Sequence, residues 1–476
     1  MKVRNPRTGL YDYHFAELSE EDIAAKCSKL LLGQRHWSAS GLSYRVNILQ
    51  QWKSAIQLQI DALEDALSKD TGRVWESKLE INLLVESIDR WCKMAETFFV
   101  PIPEKETRIP FIRLQQAWVP VELVGVISPW NFPLLLSLID TIPALLAGSA
   151  VIVKPSEVTP RFIEIMNSTI AAVPDLAKVL SYIAGDGKTG ASLIKYCKLI
   201  CFTGSTATGR KVYAAAAEYM IPVFLELGGK DPAIVLPSAN LEQAAASIFW
   251  GSTANAGQSC LSIERVYAHA SIHDELILHL KKIAENILLN AFDINEGEIG
   301  PIIFENQVQI INNHLRDALE KGATLITGST QCENIGGGYY CRPTILSGVT
   351  HQMKIMQEET FGPIIPVMRY NNTVEAVALA NDSIYGLSGA VFAGTTDEAM
   401  EIGKQICGGA ISINDAALTA IMHEGEKTSF KLSGIGGSRM GAVAMRRFLK
   451  QKVYIIKNGM ELSPWTTQLH RKKKLE

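Results

Sequence analysis

The chain has little that would tie it to a secreted, membrane or nucleic-acid setting. Residues 1–15 contain no apolar core, so no secretory leader is expected. Cysteine is sparse, at positions 27, 92, 197, 201, 260, 332, 341 and 407 of 476, with no Cys-x-x-Cys pair and no histidine cluster beside any of them. That scatter argues against a disulfide-stapled scaffold and a zinc site, so no metal and a reducing, cytoplasmic setting are expected. Neither sign of charge is in excess. Forty-six Lys and Arg face 49 Asp and Glu, and a net charge of -3 gives no general field for nucleic acid. Unbroken apolar runs are missing too. The most apolar window, 134–153, is interrupted by Asp140, Pro143, Gly148 and Ser149, so it reads as a buried helix and a buried strand rather than a membrane span. No repeat of solenoid length and no low-complexity linker divides the chain.

What is present is a long alternation of short apolar strands with amphipathic helices. Ser19 before Glu20, Glu21 and Asp22 reads as a helix N-cap, and helices are expected to fill most of the chain to about residue 99. Residues 117–128 switch to strand composition. Strands are then expected at 151–153, 179–183, 199–202 and 222–225, with helices at 162–173, 192–196 and 209–219 between them. The pattern resumes after residue 260. Helices are expected over 307–321 and 397–405, the latter opened by a capping box of Thr395 and Glu398. Strands separated by helices of this length imply parallel pairing, hence two successive α/β regions with a cleft between them.

Several loops carry residue types suited to chemistry. Gly185-Asp-Gly187-Lys-Thr-Gly190 fits a dinucleotide turn, a weak signal alone, and Phe202-Thr-Gly204-Ser205 also joins a strand to a helix. Either could equally be an ordinary glycine turn. Lys154-Pro-Ser156-Glu157 follows a buried strand, where open parallel sheets bind ligands; Lys154 and Glu157 could hold ribose hydroxyls, and a carboxylate there would repel a 2′-phosphate. Cys260 lies in the small-residue loop Asn255-Ala-Gly-Gln-Ser-Cys260, which would expose its thiol and its backbone N–H. Glu226, followed by Leu227-Gly228-Gly229, suits a base that must reach a water. Asn131, within Ser128-Pro-Trp130-Asn131-Phe132-Pro, is an amide in a stiff turn and could stabilise an oxyanion.

Taken together, these segments resemble the aldehyde dehydrogenase family over nearly the whole length. In the family's order the chain contains NPRTG, SPWNFP, VKPSE, FTGSTATG, ELGGKDP, GQSC, EETFGP and a late YGL, and the 34 residues from Glu226 to Cys260 are typical. The resemblance implies Cys260 as nucleophile, Asn131 with the Cys260 N–H as oxyanion hole, and Glu226 as general base for deacylation. It implies NAD, with NADP possible, held by Ser128, Trp130, Lys154, Ser156, Glu157, Gly187, Gly204, Ser205, Glu359 and Phe361, the last two as nicotinamide-ribose and ring contacts. The implied fold is α/β: a discontinuous Rossmann-like cofactor domain (1–103 and 121–228), a catalytic domain (229–424), a return segment (425–448), a small oligomerisation flap (104–120 and 449–460) and a C-terminal tail (461–476). The partners implied are a small-molecule aldehyde and one or three further copies of the chain.

Two departures from the family pattern stand out. Many members carry Trp-Lys where this chain has Ile139-Asp140, and the late segment here reads Phe430-Lys-Leu-Ser-Gly434-Ile-Gly-Gly-Ser-Arg439-Met-Gly441. Both bear on the substrate rather than the reaction. Phe132, Ile139 and Leu418 are expected to line the pocket, favouring an apolar or aromatic aldehyde, with a semialdehyde such as succinic semialdehyde as the alternative. No arginine reads as a necessary carboxylate clamp. Arg265, close behind Cys260, could as readily form a structural ion pair with Glu264 or Glu226 as a clamp. A non-catalytic relative kept as a structural or binding protein is the reading of another class.

Overall fold

The computed structural model describes residues 1–459 together with 463, 465 and 466; most of the tail expected at 461–476 lies outside the described residues. Two parallel sheets organise the chain. The first has six strands in the order Gly434–Ile435, Val223–Glu226, Leu199–Thr203, Leu123–Ile127, Ala150–Lys154 and Leu180–Tyr182. All neighbours are parallel except the outermost, Gly434–Ile435, which runs antiparallel to Val223–Glu226. Leu123–Ile127, Ala150–Lys154 and Leu199–Thr203 are buried at every residue. That is why they read as continuous apolar runs: helices cover both faces of a parallel sheet. One hydrophobic core joins these strands to the long helices Glu20–Ala39, Leu42–Gln57 and Trp75–Phe98 and to Ala444, Met445 and Phe448 of the late segment.

The second sheet has seven strands in the order Thr324–Thr327, Thr344–Ser347, Ile364–Tyr370, Ile263–His269, Asp231–Val235, Ser388–Phe392 and Ala410–Ile413. It is parallel apart from Thr324–Thr327. A separate three-stranded sheet pairs Leu449–Lys457 with Ile112–Pro120 over nine residues, with Lys105–Glu106 on the far side. The strand-rich stretch 117–128 therefore serves two sheets. Residues up to Pro120 belong to the small one, and Leu123 enters the first parallel sheet.

Local signals held where the chemistry was short-range. Ser19 caps Glu20–Ala39 with a complete capping box to Asp22. At Thr395 only half of the box forms: Thr395 accepts from the Glu398 N–H, but the Glu398 carboxylate accepts from Ser238 instead, and the helix runs Thr396–Gly403. The apolar window divides into helices Pro133–Leu138 and Thr141–Ala147 before its strand. The helix expected at 192–196 is Gly187–Ile194, begun earlier by the Asp186 cap. The opening hairpin Lys2–Arg4 with Tyr11–His14 was not anticipated. It joins both halves of the molecule, because Arg161 holds Asp12 while Arg7 donates to the carbonyl of Asn290 and Arg4 to that of Gly337. Among the described residues no helix is long and apolar enough to cross a membrane, and all eight cysteines are free.

Candidate active site

The two parallel sheets meet end to end. The chain leaves the C-terminal end of Val223–Glu226, passes through Leu227-Gly228-Gly229-Lys230, and enters the N-terminal end of Asp231–Val235. Everything at the seam follows from this turn. Loops after the first-sheet strands supply Ser128 to Asn131, Lys154 to Glu157, Gly204, Ser205 and Glu226. Loops before the second-sheet strands supply Cys260, ahead of Ile263–His269, and Glu359 and Phe361, ahead of Ile364–Tyr370. The first sheet also reverses strand order here. Ala150–Lys154 and Leu199–Thr203 flank Leu123–Ile127 on opposite sides, and the crevice above such a switch point is where open α/β sheets bind ligands.

The cysteine loop is strained and firmly held. Asn255 and Ala256 both take left-handed conformations, with φ of 55° and 54°, which cost on the order of 1–3 kcal/mol each. Gln258, buried, offsets this: its amide donates to the carbonyls of Asn255 (2.9 Å) and Pro301 (3.2 Å), and its oxygen accepts from the Ile303 N–H (2.8 Å). Gly257 has φ of +70° and presses on the backbone of Gly362, where a Cβ would come within 2.3 Å. The cysteine loop and the Glu359–Phe361 loop thus touch main chain to main chain.

Asn131 is buried and its Nδ2 donates to the carbonyl of Gln258 (3.0 Å), two residues before Cys260. Its own carbonyl accepts from Arg73 (2.6 Å) and Asn255 (3.1 Å), which fixes the amide toward the cysteine loop. Arg73 is anchored in turn by Glu80 (3.0 Å), and its guanidinium lies 4.7 Å from the Phe132 ring. Cys260 itself is half-buried. Burial pushes its thiol up to about 12; the ammonium of Lys427 opposes this, and the carboxylates of Glu359, Asp231 and Glu226 add to it.

Glu226 ends its strand half-buried and accepts from the Ser429 hydroxyl (2.9 Å). Glu359 accepts from the Gly229 N–H (3.0 Å), and Gly228 must lack a side chain because a Cβ would lie 2.6 Å from the Glu359 carboxylate. Burial, with Glu264 nearby, pushes the Glu359 carboxyl up to about 8. Its folded value lies above its unfolded value of about 4.3, so the folded chain binds this proton more tightly and stability falls as pH rises between the two. Glu359→Gln removes that slope. The melting temperature of the variant should gain on that of the wild type as pH is raised from 5 to about 8; parallel melting curves across that range would refute the raised carboxyl.

The same loop is pinned by a buried polar knot. Glu264 accepts from the N–H groups of Thr360 (2.7 Å) and Phe361 (2.8 Å) and pairs with Lys230 (2.6 Å), which also reaches Thr360 Oγ1 (3.0 Å). This holds Phe361 at a left-handed φ of 53° with its ring 5.4 Å from that of Trp130. Arg265 pairs with neither Glu264 nor Glu226. Its guanidinium donates to the carbonyls of Lys230, Leu379 and Ala380 and to the Tyr267 hydroxyl, because Lys230 already occupies Glu264.

The crevice residues fit a dinucleotide. Ser205 caps the helix Thr206–Glu218 by accepting from the Thr208 N–H, which places a hydroxyl and a helix start at the switch point. Lys154 and Glu157 pair at 3.2 Å at the end of the neighbouring strand, with Ser156 turned to the Val158 N–H. The Ser128 hydroxyl is buried with no partner among the described residues. The other glycine turn differs. The Asp186 carboxylate accepts from the N–H groups of Lys188 and Thr189, so an anion beside Gly187 would meet a carboxylate already seated on that helix start. Of the apolar candidates, Phe132 precedes the helix Pro133–Leu138, Ile139 ends it, and Leu418 opens the short turn Leu418–Ala420; all three are half-buried, and Phe132 is tied to the Asn131 segment through Arg73.

The family model for the "Aldehyde dehydrogenase family" matches residues 1–454. The chain belongs to the aldehyde dehydrogenase family. It is 32% identical over 448 residues to a provisionally named succinate-semialdehyde dehydrogenase [NADP(+)] of Mycolicibacterium smegmatis, covering 93% of this chain and 86% of that one. Among solved structures it is similar to the provisionally assigned aldehyde dehydrogenase PutA of Anabaena variabilis, at 53% identity and a TM-score of 0.96 over 98% and 99% of the two chains. It also resembles betaine aldehyde dehydrogenase of Staphylococcus aureus in complex with NAD+, at 28% identity and a TM-score of 0.91 over 98% and 93%. The protein is thus an oxidoreductase of the aldehyde group with a nicotinamide dinucleotide as acceptor.

In this aldehyde dehydrogenase the two segments that departed from the family pattern in the sequence meet in space. Asp140 and Arg439, noted separately in the sequence, are partners at 2.6 Å, and the other Asp140 oxygen holds Arg447 at 2.6 Å. Arg439 also donates to Thr203 Oγ1 (2.9 Å), the residue paired in register with Glu226. Sequence reading missed Ser429, Gln258, Arg73 and Lys427 as site residues. Ser429 lies 203 positions from its Glu226 partner, and no local pattern could have joined them.

Proposed function

We propose that the protein oxidises its aldehyde to the carboxylic acid through a thioester on Cys260. The observation that carries this reading is the Asn131 amide turned onto the backbone of the cysteine loop, with a half-buried cysteine two residues further on. In this scheme the Cys260 thiol passes its proton to solvent, its sulfur attacks the aldehyde carbon, and the resulting oxyanion is received by Asn131 Nδ2 and the Cys260 N–H. One such donor contributes about 2.7–4 kcal/mol to the transition state. The bound dinucleotide supplies the hydride acceptor. Ser128, Trp130, Lys154, Ser156, Glu157, Gly204 and Ser205 would hold its adenosine and phosphate portion, and Glu359 and Phe361 its other end. A carboxylate at position 157 favours NAD over NADP. Loss of hydride from the adduct leaves the thioester. Glu226, kept in place by Ser429, then takes a proton from water, whose oxygen displaces sulfur and releases the acid.

Glu226→Gln separates the two halves of this scheme. A stopped-flow burst of NADH should persist while steady turnover falls by about 100-fold or more, in the range general-base catalysis contributes. If burst and steady rate fall together, Glu226 acts before the thioester forms.

The edge strand Leu449–Lys457 exposes Val453, Tyr454 and Ile455, the last at 70%. This supports reading the small sheet as the surface through which two or four copies assemble. Free thiols throughout are in keeping with a cytoplasmic setting. As to substrate, the half-buried Phe132, Ile139 and Leu418 favour an apolar or aromatic aldehyde, whereas the likeness to the Mycolicibacterium smegmatis protein favours a semialdehyde.

A further inference from the structure

The segment that brings Ser429 onto Glu226 also carries Lys427, and that lysine has no assigned task. It is half-buried, and its backbone N–H is fixed by Ser438 Oγ (3.0 Å). Among the described residues its ammonium has no hydrogen-bond or ion-pair partner. The acidic groups around the seam are each engaged elsewhere: Glu226 by Ser429, Glu359 by the Gly229 N–H, and Asp231 by the N–H and hydroxyl of Ser388. A half-buried cation without a counter-ion pays a desolvation cost that an incoming anion would relieve. Lys427 is also the leading cation acting on the Cys260 thiol, which puts it within electrostatic reach of the reacting sulfur, yet it makes no hydrogen bond to that sulfur. Two residues on, Ser429 touches Glu226, which keeps the Lys427 segment at the same seam as the reacting cysteine.

We infer that Lys427 is a substrate-binding residue that pairs with a carboxylate at the far end of the aldehyde, so that this enzyme favours semialdehydes over neutral aldehydes of the same length. The inference rests on the aldehyde dehydrogenase reading and decides between its two substrate classes. Arg439 and Arg447 are not candidates for this contact, since Asp140 holds both in the core. Arg265 is likewise spent on backbone carbonyls.

The test compares kcat/KM for succinic semialdehyde with that for its uncharged methyl ester, in the wild type, Lys427→Met and Lys427→Arg. A hydrogen bond to a charged group corresponds to about a 10- to 100-fold preference. The acid-to-ester ratio should fall by that factor in Lys427→Met, chiefly through KM for the acid, and Lys427→Arg should recover most of it. Independently, succinate should protect Cys260 from iodoacetamide in the wild type and fail to do so in Lys427→Met. An unchanged ratio with unchanged protection would overturn the inference. So would an equal loss for acid and ester accompanied by a shifted pH profile of Cys260 alkylation, which would place Lys427 on the thiol rather than the substrate. Absence of NADH from these two aldehydes and from aliphatic and aromatic ones alike would instead overturn the thioester reading, and the protection experiment would then decide the role of Lys427 alone.

Discussion

Cys260→Ala should lower aldehyde-dependent NADH formation by at least about 10⁴-fold, the scale on which loss of an enzymatic nucleophile is felt, while the protein still folds and binds NAD in calorimetry. The expectation is that severe because no other thiol can substitute. Six of the eight cysteines are buried, and Cys407, the other half-buried one, lies in the turn before the strand Ala410–Ile413 with its backbone N–H already taken by Asn381 (2.7 Å). The loop that carries Cys260 is firmly held. Two left-handed residues, the three bonds of Gln258 and the Arg73–Asn131 contact all fix it. Alanine fits the space, so the loss would be chemical rather than structural. Dehydrogenase activity retained in this variant would refute covalent catalysis at Cys260.

The second large effect is on stability. Asp140→Ala would leave two guanidiniums in the core without their shared counter-ion. Side-chain exposure is 3% at Asp140, 7% at Arg439 and 4% at Arg447. The Nε atoms of both arginines already lack partners among the described residues, so the carboxylate is their main compensation. Removing one member of a buried ion pair costs about 3–5 kcal/mol, and chemical denaturation should register a loss of that size. Burial would raise the Asp140 carboxyl, but Arg439 and Arg447 hold it below its usual value. Its contribution is therefore present above an unfolded value of about 3.9 and is lost as pH falls through the lower, folded one. Asp140→Lys, which restores the residue many relatives carry, should be worse still, with three cations in one cavity. Adding Arg439→Glu should recover part of the loss. If Asp140→Lys alone is as stable as the wild type, the cluster does not hold the late segment as described. The consequence reaches the site, because Gly434–Ile435 of that segment pairs directly with the strand ending at Glu226.

This cluster also shows what a sequence conceals. Asp140 looks like a lost family residue when read alone, and Arg439 is one residue of a late segment that departs from the family pattern. Nearly 300 residues separate them, so nothing in local pattern could show that they are partners. Loop chemistry and strand burial were more legible. The apolar runs 151–153 and 199–202 announced interior parallel strands because both faces of the sheet are covered. Ser19 announced a helix start because its partner, Asp22, is three residues away. The hairpin at the chain start escaped notice because its strands are short and mostly exposed, and contacts with Asn290 and Gly337 help to hold it. Arg265 is the opposite case. Adjacency to Glu264 suggested a pair, but neighbours along a strand point to opposite faces, and Lys230 met Glu264 first. Lys427 could not be singled out among 46 basic residues until its lack of a partner was visible.

The most direct test of the thioester is the mass of the enzyme caught between its two half-reactions. Glu226→Gln protein, mixed with NAD and an aldehyde that gives a burst, should be quenched in acid and its peptides weighed. The peptide containing Cys260 should carry the acyl group of the substrate in an amount matching the NADH burst, and hydroxylamine should remove it. NADH released in the burst with an unmodified Cys260 peptide would contradict the thioester and require hydride transfer without a covalent bond to this cysteine.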